Sequence, residues 1–201
     1  MLVLQTLPIR NPHISAIGTR PIFSDAEIER IKAGAGPTWA AGAIGDLAAS
    51  RKVTFTNKAT VRQMTQQPVK VEDDGFPINK IAAEVANFNS MAWRFQLCGF
   101  VDDDMPWLMR YTAPGDHHDW HVDVGHAANG SRKLGFTVQL SRPDEYEGGD
   151  LEFLNVPYDG AAVRAKGAII VFPAFFAHRV TAVTKGTRLA LVGWIHGDSY
   201  I

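Results

Sequence analysis

The segment Leu134-Gly135-Phe136-Thr137-Val138-Gln139-Leu140 constrains the fold more than any other, because its residues alternate with period two. Leu134, Phe136, Val138 and Leu140 make one wholly apolar face, while Gly135, Thr137 and Gln139 make a face of small and polar groups. A strand separates residues in this way, since successive side chains leave opposite faces of the pleat. The apolar face needs a second layer to cover it. The other is either solvated, as in many antiparallel sheets, or lines a polar cavity inside a barrel.

The same period recurs along the C-terminal half. Trp107, Met109 and Tyr111 alternate with Leu108 and Arg110, and Arg188, Ala190, Val192 and Trp194 share one face of a strand over 187–195. The loop 143–150 carries Gly148-Gly149, which permit positive φ before a strand at 151–153, and Gly167 turns the chain into the apolar run Ala168 to Phe172. Trp93, Phe95 and Leu97, alternating with Arg94, Gln96 and Cys98, predict a further strand ahead of an acidic turn at Asp102-Asp103-Asp104.

Upstream the spacing is helical. Ser24 and Glu27 stand as a capping box with Phe23 and Ile28 as its hydrophobic staple, predicting a helix over about 25–33 that Gly34 and Gly36 end. Ile78, Ile81, Val85 and Phe88 predict a second, with Pro77 in its first turn, after a turn at Asp73-Asp74-Gly75. The Gly- and Ala-rich stretch 37–50 reads as a surface connection, and 51–67 shows only short alternation at Val53 and Phe55. Beyond the second helix no further helical period occurs. Two helices followed by seven or eight strands is α+β, a helical buttress on an antiparallel sandwich or barrel. At 201 residues and 46% hydrophobic, the chain is expected to form a single domain, 1–201, with support over 1–90 and a β core over about 91–198.

Twenty basic against 21 acidic residues call for neither nucleic acid nor an anionic membrane as partner. The single cysteine, Cys98, offers neither a disulfide nor a zinc cluster, and no segment has the length of a membrane span, so a cytoplasmic location is expected. Oligomeric state is left open.

His-x-Asp occurs three times. His117/Asp119 lie in Pro-Gly-Asp-His-His-Asp, a run of turn formers, and His196/Asp198 fall in the last six residues. Only His121/Asp123 sits in apolar alternation, which would point imidazole and carboxylate at the same spot, away from Trp120, Val122 and Val124. His178, opening the β-patterned segment 178–183, is placed to join them. Two histidines and one carboxylate form the facial triad that holds non-haem Fe(II) with open positions. Arg188 stands amid apolar sequence: either it meets a ligand carboxylate bidentately, or it lies at a strand edge and pairs with a surface acid.

From about Trp93 to the C-terminus the residues resemble the 2-oxoglutarate- and Fe(II)-dependent dioxygenases, and within them the prolyl 4-hydroxylase-like branch. The resemblance rests on Tyr111 ten residues before His121-x-Asp123, on Arg132-Lys133-Leu134 leading to Val138-Gln139-Leu140-Ser141, and on Tyr146-Glu147-Gly148-Gly149-Asp150-Leu151. It continues through Phe172-Pro173, His178-Arg179-Val180-Thr181, Arg188 ten residues after His178, and Trp194. Two positions depart from relatives: Gln139 stands where oxygen-sensing members often carry an aromatic, and Trp194 where a nucleic-acid repair relative would carry a second Arg.

This resemblance implies a double-stranded β-helix, a jelly-roll or cupin-like barrel buttressed by the N-terminal helices. It implies Fe(II) on His121, Asp123 and His178, and 2-oxoglutarate held through its distal carboxylate by Arg188. Tyr111, Thr137 and Gln139 would add hydrogen bonds, and Val180 and Trp194 would wall the pocket. The implied reaction uses O2, with ascorbate as a candidate reductant, to hydroxylate an unactivated C–H of a proline-like or other amino acid, free or in a peptide, releasing succinate and CO2. Asp123 favours hydroxylation over halogenation. The competing expectation is a catalytically silent cupin-like metal-binding or sensory domain. Substrate choice is assigned to the stretches 34–70 and 125–133.

Overall fold

A computed structural model of the chain describes residues 16–47, 53–56, 58–125 and 127–198. In chain order the elements are β1 (Gly18–Pro21), α1 (Asp25–Ala33), β2 (Ala40–Ala41), β3 (Ile44–Leu47), β4 (Val53–Thr56), β5 (Arg62–Gln63), β6 (Thr65–Pro68) and α2 (Ile78–Met91). There follow β7 (Trp107–Thr112), β8 (His117–His121), β9 (Arg132–Gln139), β10 (Tyr146–Gly148), β11 (Leu151–Phe153), α3 (Gly160–Arg164), β12 (Ala168–Pro173), β13 (His178–Val180) and β14 (Val183–His196).

The strands form a major antiparallel sheet ordered β1-β12-β9-β14-β7-β6-β2, with β10 also on β14, and a minor sheet ordered β11-β13-β8-β5; β3 and β4 make a separate hairpin. This is the expected double-stranded β-helix, with α1 and α2 on one side. Alternation along the major sheet creates two apolar cores. Outward residues Leu108, Leu134, Phe136, Val138, Ile169, Val171, Leu191 and Ile195 pack with Phe23, Ile28 and Ile31 around α1 and Ile78, Ile81 and Val85 of α2. Inward residues Met109, Tyr111, Ile170, Phe172 and Trp194 pack with Leu151, Phe153 and Val180 of the minor sheet. Fully burying each Leu, Ile or Phe of the outer set contributes roughly 1.5–3 kcal/mol.

Local sequence explains the helix starts. Ser24 Oγ accepts from Glu27 N–H and Glu27 Oε2 accepts from Ser24 N–H at 2.8 Å, the reciprocal box expected for α1. At α2 Pro77 precedes the first turn as the N-cap instead of lying within it. Gly148 and Gly149 have φ of 69° and 63°, and a Cβ on Gly148 would lie 2.1 Å from the Ala182 carbonyl oxygen, so this turn requires glycine.

Several expectations are corrected. Residues 93–98 are not a strand: Arg94 takes φ 56°, and the Asn89 amide both donates to Phe95 O and accepts from Phe95 N–H, each at 2.9 Å, in place of a neighbouring strand. The supposed connection over 37–50 contains β2 on β6 and β3 on β4, with 48–50 outside the described residues, and 51–67 yields β4, β5 and β6. A third helix, α3, is started by Asp159, whose Oδ1 accepts from Ala161 N–H and Ala162 N–H. His117 and Asp119 belong to β8, not to a turn, and His196 is the buried end of β14.

Candidate metal centre and its cavity

His121 closes β8, Asp123 follows it by two, and His178 opens β13 directly opposite His121. Trp120 and Val122 between them are 39% and 46% exposed whereas Asp123 is 8% exposed, so the expected alternation holds, with the polar pair turned inward. One ligand atom from each of His121, Asp123 and His178 lies within 4.8 Å of the others. Both imidazole Nε2 atoms stand 3.6 Å from an Asp123 carboxylate oxygen. The other ring nitrogens are committed: Nδ1 of His121 donates to Asp119 O at 2.7 Å, and Nδ1 of His178 to Phe176 O at 2.9 Å. That fixes the tautomer, leaving both Nε2 lone pairs free for a cation. Burial, then the neighbouring His178, lowers the His121 pKa to about 4, so the ring is unprotonated at neutral pH.

Space for the carboxylate depends on Gly135. A Cβ there would lie 2.8 Å from Asp123 Oδ2 and 2.9 Å from the Phe172 ring. Behind it sits a buried polar network. Arg132 donates to both oxygens of Asp104 at 2.6 Å and to the Asp123 carbonyl at 3.2 Å, and its Cζ lies 3.5 Å from the Trp194 ring centre. His196 approaches Asp104 at 3.0 Å and Ser131 Oγ at 2.8 Å. These residues set the path of the chain carrying Asp123.

Arg188 is not at an edge. Its strand lies between β9 and β7, the residue is 1% exposed, and none of its three guanidinium nitrogens has a hydrogen-bond partner. A cation in this state needs an anion that the folded chain does not supply. Tyr111 faces it across the β14–β7 pair, its ring 5.2 Å from Cζ, and burial raises the phenol pKa, keeping it a neutral donor. The hydroxyl reaches only the Met109 sulfur, at 3.8 Å, a weak acceptor. Gln139 and Thr137 are buried on the same inward face; Gln139 Nε2 donates to Val163 O at 3.1 Å, leaving Oε1 unpartnered. Trp194, with a buried unpartnered Nε1, and Val180 complete the wall. The polar face of the 134–140 strand therefore looks inward. A buried guanidinium with orphaned donors, together with a cluster of two imidazoles and one carboxylate, is a set that a metal with a chelated dicarboxylate would satisfy.

Two residues escaped sequence reasoning. β8 carries a bulge: His178 faces His121 but Val180 faces His118, so three residues of β8 span two of β13. The bulge resets the phase and brings His118 inward, its ring 3.6 Å from that of His121 and stacked on it. Desolvation by burial, then His121, lowers its pKa far below the ordinary range, so it is neutral. Arg62 stands opposite His118 on β5. No period in 51–67 marks it, and only its charge within a mostly uncharged stretch could have.

Two facing antiparallel sheets enclosing a His/Asp/His cluster and an orphaned arginine define a jelly roll of the mononuclear-metal kind. Residues 106–196 match the family described as the 2OG-Fe(II) oxygenase superfamily. Curated relatives include a PKHD-type hydroxylase of Synechococcus sp. (strain CC9902), 40% identical over 94 residues, and one of Prochlorococcus marinus, 38% identical over 90 residues. The matches cover 45–47% of this chain, and the chain spans about 40% of the length of these relatives. Among solved structures, a viral collagen prolyl hydroxylase from Paramecium bursaria Chlorella virus-1, in its 2OG complex, superposes with TM-score 0.59 at 18% identity over 90% of this chain and 96% of that one. A Pseudomonas putida prolyl-4-hydroxylase gives 0.60 at 17% over 92% and 94%. At these identities the likeness speaks to the fold. Among the described residues no helix is long and apolar enough to cross a membrane.

Proposed function

We propose that this protein is a 2-oxoglutarate- and Fe(II)-dependent hydroxylase acting on a proline-like or other amino acid, free or within a peptide. The observation that carries the proposal is the pairing of an unpartnered, 1% exposed guanidinium on β14 with a triad whose imidazoles keep Nε2 free. His121, Asp123 and His178 hold the metal, and Asp123 occupies the position whose carboxylate favours hydroxylation. Arg188 takes the distal carboxylate of 2-oxoglutarate, and Tyr111 offers it a neutral O–H. Gln139 and Thr137 line the floor, and Val180, Trp194 and Phe172 keep water out.

With O2, the bound iron and 2-oxoglutarate supply the oxidising power, one oxygen atom going to the hydroxylated product and one to succinate as CO2 leaves. The chain's part is to orient both carboxylates and, through the two Nδ1–H bonds, to turn both imidazole Nε2 atoms toward the metal position. Relatives named as hydroxylases support the reading. Purified protein given Fe(II), O2 and 2-oxoglutarate should form succinate slowly without added substrate, and His178→Ala should not. A wild type that binds iron yet never consumes 2-oxoglutarate would instead identify a silent cupin-like domain.

A further inference from the structure

We propose that Arg62 is the substrate-binding cation of this site, and that the substrate it takes carries a free carboxylate: a small amino acid or related acid, not an internal residue of a polypeptide. The inference rests on the reading above and names the substrate class which that reading leaves open.

Arg62 leaves β5 beside His118, the histidine that the β8 bulge stacks on His121. Its hydrogen bonds go only to neutral acceptors: Nη1 to Ala43 O at 3.0 Å, and Nη2 to Gln66 Oε1 at 2.8 Å and the Met109 sulfur at 3.8 Å. Nε is buried with no partner. Among the described residues no carboxylate lies within ion-pair distance of it. Burial lowers its pKa, and the groups acting against that are Tyr111 and Asp123, one from the cosubstrate wall and one from the triad. Its Nη2 and the Tyr111 hydroxyl share the Met109 sulfur, each at 3.8 Å, so the side chain reaches the inner lining of the barrel.

A guanidinium does not discharge, so its desolvation has to be offset by an anion. The two carboxylates of 2-oxoglutarate are already assigned, one to Arg188 on the major sheet and the other to the metal. Arg62 belongs to the opposite, minor sheet and needs a third anion, which only the substrate remains to bring. A peptide carbonyl is neutral and leaves the charge uncompensated. A carboxylate on Arg62, whose strand partner His118 stacks on His121, would also hold the rest of a small molecule toward the metal, the orientation that oxidation at one carbon requires.

The test is anaerobic calorimetry on Fe(II)-loaded, 2-oxoglutarate-saturated protein. Each proteinogenic amino acid is titrated as free acid and as carboxamide, together with the blocked peptide acetyl-Gly-Pro-Gly-amide. At least one free acid should bind about 30-fold or more tightly than its carboxamide, the loss expected on removing one side of a buried charge pair. In Arg62→Met that ratio should fall to about one, and Arg62→Lys should recover part of it. Should Arg62→Met fail to fold, the wild-type ratio and the Lys variant carry the test. Discrimination that persists in Arg62→Met overturns the proposal. So do carboxamides or the blocked peptide binding as tightly as the acids, and so does the failure of any free acid to bind while the 2-oxoglutarate charge-transfer band forms. Absence of that band in wild type would overturn the site reading itself, and this inference with it.

Discussion

Truncating Arg188 should have opposite effects on the empty and the ligand-bound protein. Without ligand the guanidinium is 1% exposed and all three of its nitrogens are unpartnered, so it weakens the fold by its uncompensated desolvation. Replacement by Met, which keeps most of the volume, should raise the ligand-free melting temperature. With 2-oxoglutarate, the same change removes one side of a buried charge pair, a loss of about 2–5 kcal/mol, equivalent to roughly 30- to 5,000-fold weaker binding. At 100 times its Kd the cosubstrate stabilises wild type by about 2.7 kcal/mol. For a chain of this size that is a rise of roughly 5–10 °C. Arg188→Met should keep at most about a third of this at the same concentration, and Arg188→Lys more, though less than wild type, because an ammonium cannot reproduce two parallel hydrogen bonds. The assay is differential scanning fluorimetry of metal-loaded protein, cross-checked by anaerobic titration of the charge-transfer band. A 2-oxoglutarate affinity that changes less than about fivefold would be the behaviour of a solvated ion pair and would refute the reasoning.

Replacing His121, Asp123 or His178 by Ala should abolish iron-dependent succinate formation while far-ultraviolet circular dichroism stays unchanged; His117→Ala, half-buried and bonded only to the carbonyls of Gly115 and Thr60, should leave most of it. Gly135→Ala would push a methyl to 2.8 Å from Asp123 Oδ2, and metal titration should show about 10-fold or more weaker binding. Glu27 titrates at about 2 instead of 4.5, held down first by Lys80 and then by the Ser24 N–H. Its folded pKa being depressed, its contribution is complete above about pH 4.5 and lost as pH falls toward 2. Glu27→Gln should therefore cost about 1 kcal/mol in urea unfolding at pH 7, the gap closing as pH falls through that window.

The triad was legible because one strand turn carries His121 and Asp123 at the same phase, and Arg188 because a charge amid apolar alternation has few explanations. Leu134–Leu140 revealed both its faces, though only the packed barrel decides that the polar one looks inward. His118 was illegible because a bulge breaks the period on which strand reading depends. Strands of two to four residues before α2 are too short to show a period, and the five residues of α3 too few to complete an apolar stripe. Residues 93–98 alternate convincingly, yet a single asparagine amide takes the place of a partner strand. Asp104 read as one of three surface acids, and its burial follows from Arg132 reaching it from 28 positions away. The supposed tail histidine, His196, is buried by the same network.

The central strands β12, β9, β14 and β7 act as a partition between two compartments with different tasks. Side chains on one side pack on α1 and α2; those on the other share the interior with the His121, Asp123 and His178 cluster and with Arg188. Consecutive residues of a single strand thus face two different surroundings. Leu191 is held by the volume of the helix-side core, and Val192 next to it packs against the inner cluster. Such a barrel can exchange its inner lining, one alternate position at a time, to accept a new substrate while the scaffold on the other side of the wall stays as it was.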